Sequence, residues 1–212
     1  MRIVVFDTET TGLPKVRNVP AKDMKDNWPH LVSLSWCVLE DTVVVDTYSY
    51  IIQPMNWTIP DDSIAIHGIT NEKAKTDGRP LAEVIDMFIS TRYDLLIAHN
   101  LEFDENVLVN AIYWDLGRTQ FLQFPHPKRC TMKASKEICK LPNNKYPKLS
   151  ELYEFVVGKA PDSRQLHNSL YDVMILVEIL KLYKPLREKF GLIKPTSVSY
   201  NADPPKSNIL RI

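Results

Sequence analysis

Glycine is scarce in this chain, with six residues in 212. No Gly-x-x-x-x-Gly-Lys and no Gly-x-Gly-x-x-Gly occurs, which excludes the phosphate-cradling loops of kinases and dehydrogenases. The three cysteines, Cys37, Cys130 and Cys139, are far apart and form no Cys-x-x-Cys pair. A disulfide framework and a structural zinc site are therefore not expected, and a reducing compartment, the cytoplasm, is. No run of roughly 18 apolar residues exists. The opening Ile3-Val4-Val5 meets a charge at Asp7, so neither a spanning helix nor a cleavable signal is read. Net charge is absent too: 26 basic and 26 acidic residues cancel, and bulk electrostatics give no argument for nucleic acid. The distribution is uneven. Residues 38–110 hold 13 acids against four bases, while Lys128, Arg129, Lys133, Lys136, Lys140, Lys145 and Lys148 face Glu137 alone.

A composition of 44% hydrophobic and 25% charged residues fits one ordinary globular domain with its own core. Residues 2–6 read as a buried strand ending at Asp7, and 14–30, with Pro14, Pro20 and Pro29, as a long surface loop. Stretches 31–39 and 42–52 form a hairpin about Glu40-Asp41. Short helical turns over 61–76 stop at Gly68 and restart at Thr70 or Asn71. Leu81, Val84, Ile85 and Phe88 mark a helix. A strand over 94–98, a helix over 102–116, another over 148–156 and an amphipathic one over 168–183 follow. Beyond Pro185 the pattern turns irregular and polar. The expectation is an α/β domain over 1–183, a mixed β-sheet flanked by α-helices, with a basic appendage over 184–212.

Acids occupy the ends of these strands and helices. Asp7 and Glu9, two apart along a strand, project to one side with Cα atoms roughly 6–7 Å apart. Two like charges on one face invite a cation. Oxygen ligands without His or Cys neighbours favour Mg²⁺ or Mn²⁺ over zinc. Asp104 lies in the first turn of a helix leaving Ala98-His99-Asn100, where the helix dipole favours an acid. His167 and Asp172 are five apart, about 140° around an ideal helix. They can share a site only if Asn168 or Ser169 caps the helix and leaves His167 outside it. A haloacid dehalogenase phosphatase needs Asp-x-Asp, whereas the second acid here is Glu9.

Asp7-Thr8-Glu9-Thr10-Thr11-Gly12-Leu13, Ile66-His67-Gly68-Ile69-Thr70, Ala98-His99-Asn100-x-x-Phe103-Asp104 and His167-x₄-Asp172 together resemble the DnaQ-like 3′→5′ exonucleases of the Asp-Glu-Asp-Asp-His subgroup. That family includes the proofreading subunit of bacterial DNA polymerase III. The resemblance spans residues 3 to about 180. It implies an RNase H-like fold in which Asp7, Glu9, Asp104 and Asp172 hold two divalent cations, Mg²⁺ or Mn²⁺, and His167 takes a proton from the attacking water. It further implies that Thr8, Thr10, Leu13, Ile66, His67, Asn100 and Phe103 hold the 3′-terminal nucleotide. The substrate would be nucleic acid with a free 3′ end, single-stranded DNA in preference to RNA, and a polymerase or a second copy of the chain would be the protein partner. The Lys128–Lys148 run is then a candidate for more distant phosphates. The rival readings are an exoribonuclease and a non-catalytic binding module on the same fold.

Overall fold

The computed structural model describes residues 1–193 except 121, 123, 125 and 126, so most of the expected appendage, 194–212, lies outside the described residues. Strands β1 (Arg2–Thr10), β2 (Leu31–Glu40), β3 (Val43–Ile51), β4 (Leu95–Ala98) and β5 (Lys128–Cys130) form one sheet in the order β3-β2-β1-β4-β5. β1 pairs antiparallel with β2 and parallel with β4, and β5 adds parallel to β4, which makes the sheet mixed. The helices are α1 (Asp61–His67), α2 (Asn71–Asp77), α3 (Leu81–Ser90), α4 (Leu101–Asn110), α5 (Thr131–Cys139), α6 (Leu149–Val157), α7 (Ser169–Leu182) and α8 (Lys184–Phe190). None of the described helices is long and apolar enough to cross a membrane.

The pleat divides the core. Val4 and Phe6 of β1, with Leu34 and Trp36 of β2, face α3 and α4 through Val84, Ile85, Phe88, Val107 and Leu108. Trp36 stacks on Tyr48 at 4.7 Å and meets Phe88 edge-on at 5.3 Å. Ile3 and Val5, with Cys37, Leu39 and Ile97, face the other way, onto Val173, Leu176, Val177 and Leu180 of α7 and Leu152 of α6. Sheet positions buried on both faces explain why β2 reads as a nearly continuous apolar run.

β1 does not end at Asp7 as the sequence suggests. Asp7, Thr8 and Glu9 remain paired with Ser35, Leu34 and Ser33 of β2, whereas pairing with β4 stops at Val5↔Ile97. The last five residues of β1 therefore run beyond the stretch paired with β4 and open a crevice at the carboxyl ends of β1 and β4. Two helices differ from expectation for physical reasons. The buried positions of α5 are Thr131, Ala134 and Ser135, too small and polar to give an apolar periodicity. α8 lies where irregular chain is expected; Pro185 sits at its first turn, where proline is tolerated, and Leu186 and Phe190 are buried in the α7 core.

The loop between β1 and β2 is packed rather than loose. Asn27, 1% exposed, accepts the Val16 N–H at 2.7 Å and donates to the Val16 carbonyl at 3.0 Å. After α4 the chain continues as a π-helical turn over Ala111–Asp115. From there Trp114 donates to the Ala21 carbonyl at 2.8 Å, while Asn106 of α4 accepts the Ala21 N–H at 2.9 Å. Asp115 meets His30 Nδ1 at 3.0 Å. Asn27→Ala leaves two backbone groups of Val16 without partners, so its expected effect is faster proteolytic cutting within 14–26 and a loss of about 1–3 kcal/mol in stability. Limited proteolysis with a thermal melt measures both, and an unchanged digestion pattern contradicts the role given to Asn27.

Candidate active site

Continuing the alternation of β1, Asp7 and Glu9 lie on the face of Ile3 and Val5, toward α7, and Thr8 lies on the face of Val4 and Phe6, toward α4. α7 brings Asp172 to the first pair. Carboxylate oxygens of Asp7, Glu9 and Asp172 lie within 4.8 Å of one another. Asp104 takes the other side of the strand: buried to 3% exposure, it accepts the Thr8 hydroxyl at 2.7 Å and the Thr8 N–H at 3.2 Å. Thr8, expected to hold substrate, thus spends its hydroxyl on Asp104.

His167 lies outside α7, as the capping argument requires. Asn168 caps the helix by accepting the N–H groups of Leu170 and Tyr171, both at 3.1 Å. His167 itself takes a left-handed backbone conformation, φ 65°. Its side chain is exposed, and it shares one cleft of about 760 Å³ with Asp7, Glu9 and Asp172. Thr8, Thr10, Leu13, Ile66, His67, Asn100 and Phe103 line the same cleft. Of the expected residues, Asp104 alone does not line it. Leu13 and Ile66 stand at its rim, 70% and 57% exposed. Gly68 ends α1 with φ 71°, the left-handed turn that glycine accepts at no steric cost. The Ile69 N–H donates to His67 Nδ1 at 3.1 Å. The neutral ring therefore carries its proton on Nε2, which is buried beside the backbone of Thr10.

Two groups of site residues escape the sequence reading. His99, Met132, Tyr146, Pro147, Leu149 and Ser150, together with Lys148 of the basic run, form a further wall of the cleft. Behind the acids lies a chain of serine hydroxyls. Ser33 to Ser169 is 3.0 Å, Ser169 to Ser35 2.8 Å and Ser35 to Ser49 2.9 Å. Ser35 gives its one proton to Ser49, so Ser169 donates to Ser35 and Ser33 to Ser169. Ser33 and Ser35 are the β2 partners of Glu9 and Asp7, and Ser169 is the first residue of α7. Small hydroxyls here bring the start of the helix close to the sheet, and with it Asp172. The basic run is more occupied than its composition suggests. Lys128 pairs with Glu105, Lys133 with Glu102 at 2.7 Å and Lys145 with Glu151 at 2.6 Å. Lys148 is its one member that lines the cleft.

Burial raises every acid of the cluster, and repulsion from neighbouring acids adds to it at Asp7, Glu9 and Asp104. Asp7 is held well above the usual carboxylate range by desolvation, then by Asp104, Glu9 and Asp172. Glu9 is pushed up to about 9 by desolvation, then by Asp172 and Asp104. Desolvation raises Asp104 to about 7 against the Thr8 hydrogen bonds, and Asp172 to about 6 against the His167 backbone. A divalent cation fits this donor set. Asp172 Oδ1 is buried without a hydrogen-bond partner among the described residues, and all-oxygen carboxylate ligands suit a hard ion.

The model of the exonuclease family RNase_T matches residues 4–180, and the chain belongs to that family. No curated protein matches the chain significantly. Among solved structures, the fold is similar to a zinc-bound complex of E. coli exonuclease I with single-stranded DNA, with TM-score 0.67, 17% identity, and cover of 90% of this chain and 42% of that one. It is also similar to exonuclease X in complex with 5′-overhanging duplex DNA, with TM-score 0.57, 23% identity, and cover of 85% and 92%. A product-bound exonuclease I superposes with TM-score 0.62 at 16% identity, covering 87% of this chain and 43% of that one. The chain thus spans about two fifths of the exonuclease I chain, and the mixed sheet flanked by helices is the RNase H-like fold expected from the sequence.

Raised carboxylate pKa values mean that the native state binds more protons than the unfolded chain. Stability of the protein in EDTA therefore falls as pH rises from about 4 through the raised values near 6, 7 and 9. The expected Tm is at least about 5 °C lower at pH 8 than at pH 5. Thermal melts in EDTA across that range test it, and a Tm that climbs toward pH 8 contradicts the crowding of the acids.

Proposed function

We propose that this chain is a metal-dependent 3′→5′ exonuclease that releases nucleoside 5′-monophosphates from the 3′ end of nucleic acid, DNA in preference to RNA. One observation carries the reading: Asp7, Glu9 and Asp172 converge within 4.8 Å in a cleft they share with His167. Asp7, Glu9 and Asp172 would hold one Mg²⁺ or Mn²⁺, and Asp7, with Asp104 acting through water, a second. Such ions stabilise charge on both the attacking and the leaving oxygen of a phosphodiester displacement.

The remaining roles fall to this chain's own groups. His167, free of the helix and exposed to the cleft, takes the proton of the attacking water. Leu13 and Ile66, apolar and exposed at the rim, pack against the terminal base. This kind of contact tolerates any sequence. His67, Thr10, Asn100 and Phe103 line the cleft around the terminal nucleotide. The preference for DNA is supported by the similar folds being complexes with single-stranded and overhanging duplex DNA.

Digestion of 5′-labelled single-stranded DNA, duplex DNA and RNA in Mg²⁺ or Mn²⁺ tests the reading. A ladder shortening from the 3′ end is expected, fastest on DNA; fastest shortening of RNA makes the chain an exoribonuclease, and no shortening of any substrate makes it a binding module. Asp7→Ala, a folded protein with the shared ligand gone, is expected to lose metal-dependent turnover entirely. Normal cleavage by that variant overturns the two-ion arrangement. For His167→Ala the expectation is a fall in kcat of roughly 10²–10⁴-fold with KM held, the usual weight of a general base. An unchanged kcat leaves His167 without a chemical role.

A further inference from the structure

The wall of the cleft formed by residues 146–150 is built around one aromatic ring. Tyr146 is a large apolar side chain left 45% exposed in the cleft that holds the acids. Its setting is fixed from both sides. Lys136 Nζ of α5 stands 4.6 Å from the ring centroid, a cation held over one face of the π-system. At the next residue, His99 Nε2 lies 3.0 Å from the Pro147 carbonyl and Nδ1 3.0 Å from the Thr131 hydroxyl. Burial drives the His99 pKa down to about 4, so the ring is neutral. With Nε2–H given to Pro147, Nδ1 accepts from Thr131. His99 thus ties the end of β4 and the start of α5 to the segment that carries Tyr146. Beyond Pro147, Lys148 also lines the cleft, its backbone N–H donating to Glu151 at 2.7 Å.

This wall lies with Asn100 and Phe103 on the β4–β5 side of the strand order, whereas Leu13 and Ile66 are carried elsewhere. Leu13 and Ile66 come from the β1 loop and α1, whereas Tyr146 and Lys148 are reached through His99 after β4 and Met132 after β5, across β1 in the strand order. An exposed tyrosine with one cation held over its ring and a second lysine on the same wall has the composition of a single-strand platform, in which a ring stacks a base and cations meet the phosphates.

On the exonuclease reading above, we propose that Tyr146, backed by Lys136 and flanked by Lys148, forms a second nucleotide subsite that stacks the base preceding the 3′-terminal one. The substrate of this site is therefore a single-stranded segment of at least two nucleotides, and His99 is a positioning residue for the subsite. A duplex end must fray before its strand reaches Tyr146.

The test compares a ten-residue oligodeoxythymidylate with the p-nitrophenyl ester of thymidine 5′-monophosphate, a single-nucleotide substrate, in Mn²⁺. In Tyr146→Ala the ratio of kcat/KM for the oligonucleotide to that for the ester falls about tenfold, the weight of one lost stacking contact, chiefly through KM. Tyr146→Phe keeps the ring and stays within about twofold of the wild-type ratio. Anisotropy of the labelled oligonucleotide in Ca²⁺ reads the same loss as a rise of similar size in Kd. A ratio and Kd both unchanged in Tyr146→Ala, or a Tyr146→Phe variant as impaired as the alanine one, overturns the subsite. If the wild type turns over neither substrate the exonuclease reading fails, and the change in oligonucleotide Kd alone decides whether Tyr146 stacks a base.

Discussion

The structure is organised around an electrostatic conflict. Asp7, Glu9 and Asp172 are held within 4.8 Å of one another, with Asp104 buried on the far side of the same strand. At an effective dielectric of ~20, two ionised carboxylates at that separation repel by on the order of 3 kcal/mol. A fold selected for stability alone would not collect them. Repulsion adds to desolvation in raising the pKa values of Asp7, Glu9 and Asp104, and a divalent cation is the other way to relieve the conflict.

Holding the acids against their repulsion falls to packed elements on both faces of the sheet. The β1 pleat carries Ile3 and Val5 into the α7 core and, in the same alternation, Asp7 and Glu9 to the crevice. α7 is anchored by Val173, Leu176, Val177 and Leu180, and its first turn is drawn to β2 by the Ser33, Ser35 and Ser169 hydroxyls. Thr8 secures Asp104. Rigid supports thus position the chemistry, and the loop that carries Leu13 is pinned to α4 and the turn after it through Ala21 and His30.

Much of this was legible in the residues because the signals were local. The Asn168 cap, the stop at Gly68 and the restart at Thr70 each depend on a few neighbouring atoms, and all three occur. The acids were legible because a charge at the edge of an apolar run has few structural uses. What was not legible depends on contacts between distant segments. The extension of β1 past Asp7 requires β2 as a partner. α5 buries threonine, alanine and serine, so its sequence looks like a solvated basic run. α8 has two apolar anchors, Leu186 and Phe190, whose value appears only against α7. The serine chain joins residues 134 and 136 positions apart, and no periodicity along one segment can announce it. The Lys128–Lys148 run is the reverse case. Its charges are conspicuous in sequence, yet Glu102, Glu105 and Glu151 already engage three of them.

A crystal grown with Mn²⁺ and measured at the manganese absorption edge tests the central claim most directly. The account predicts an anomalous peak bounded by carboxylate oxygens of Asp7, Glu9 and Asp172, with Asp172 Oδ1 as a ligand. A crystal whose manganese lies elsewhere, or whose three carboxylates stay close with no metal between them, would contradict it.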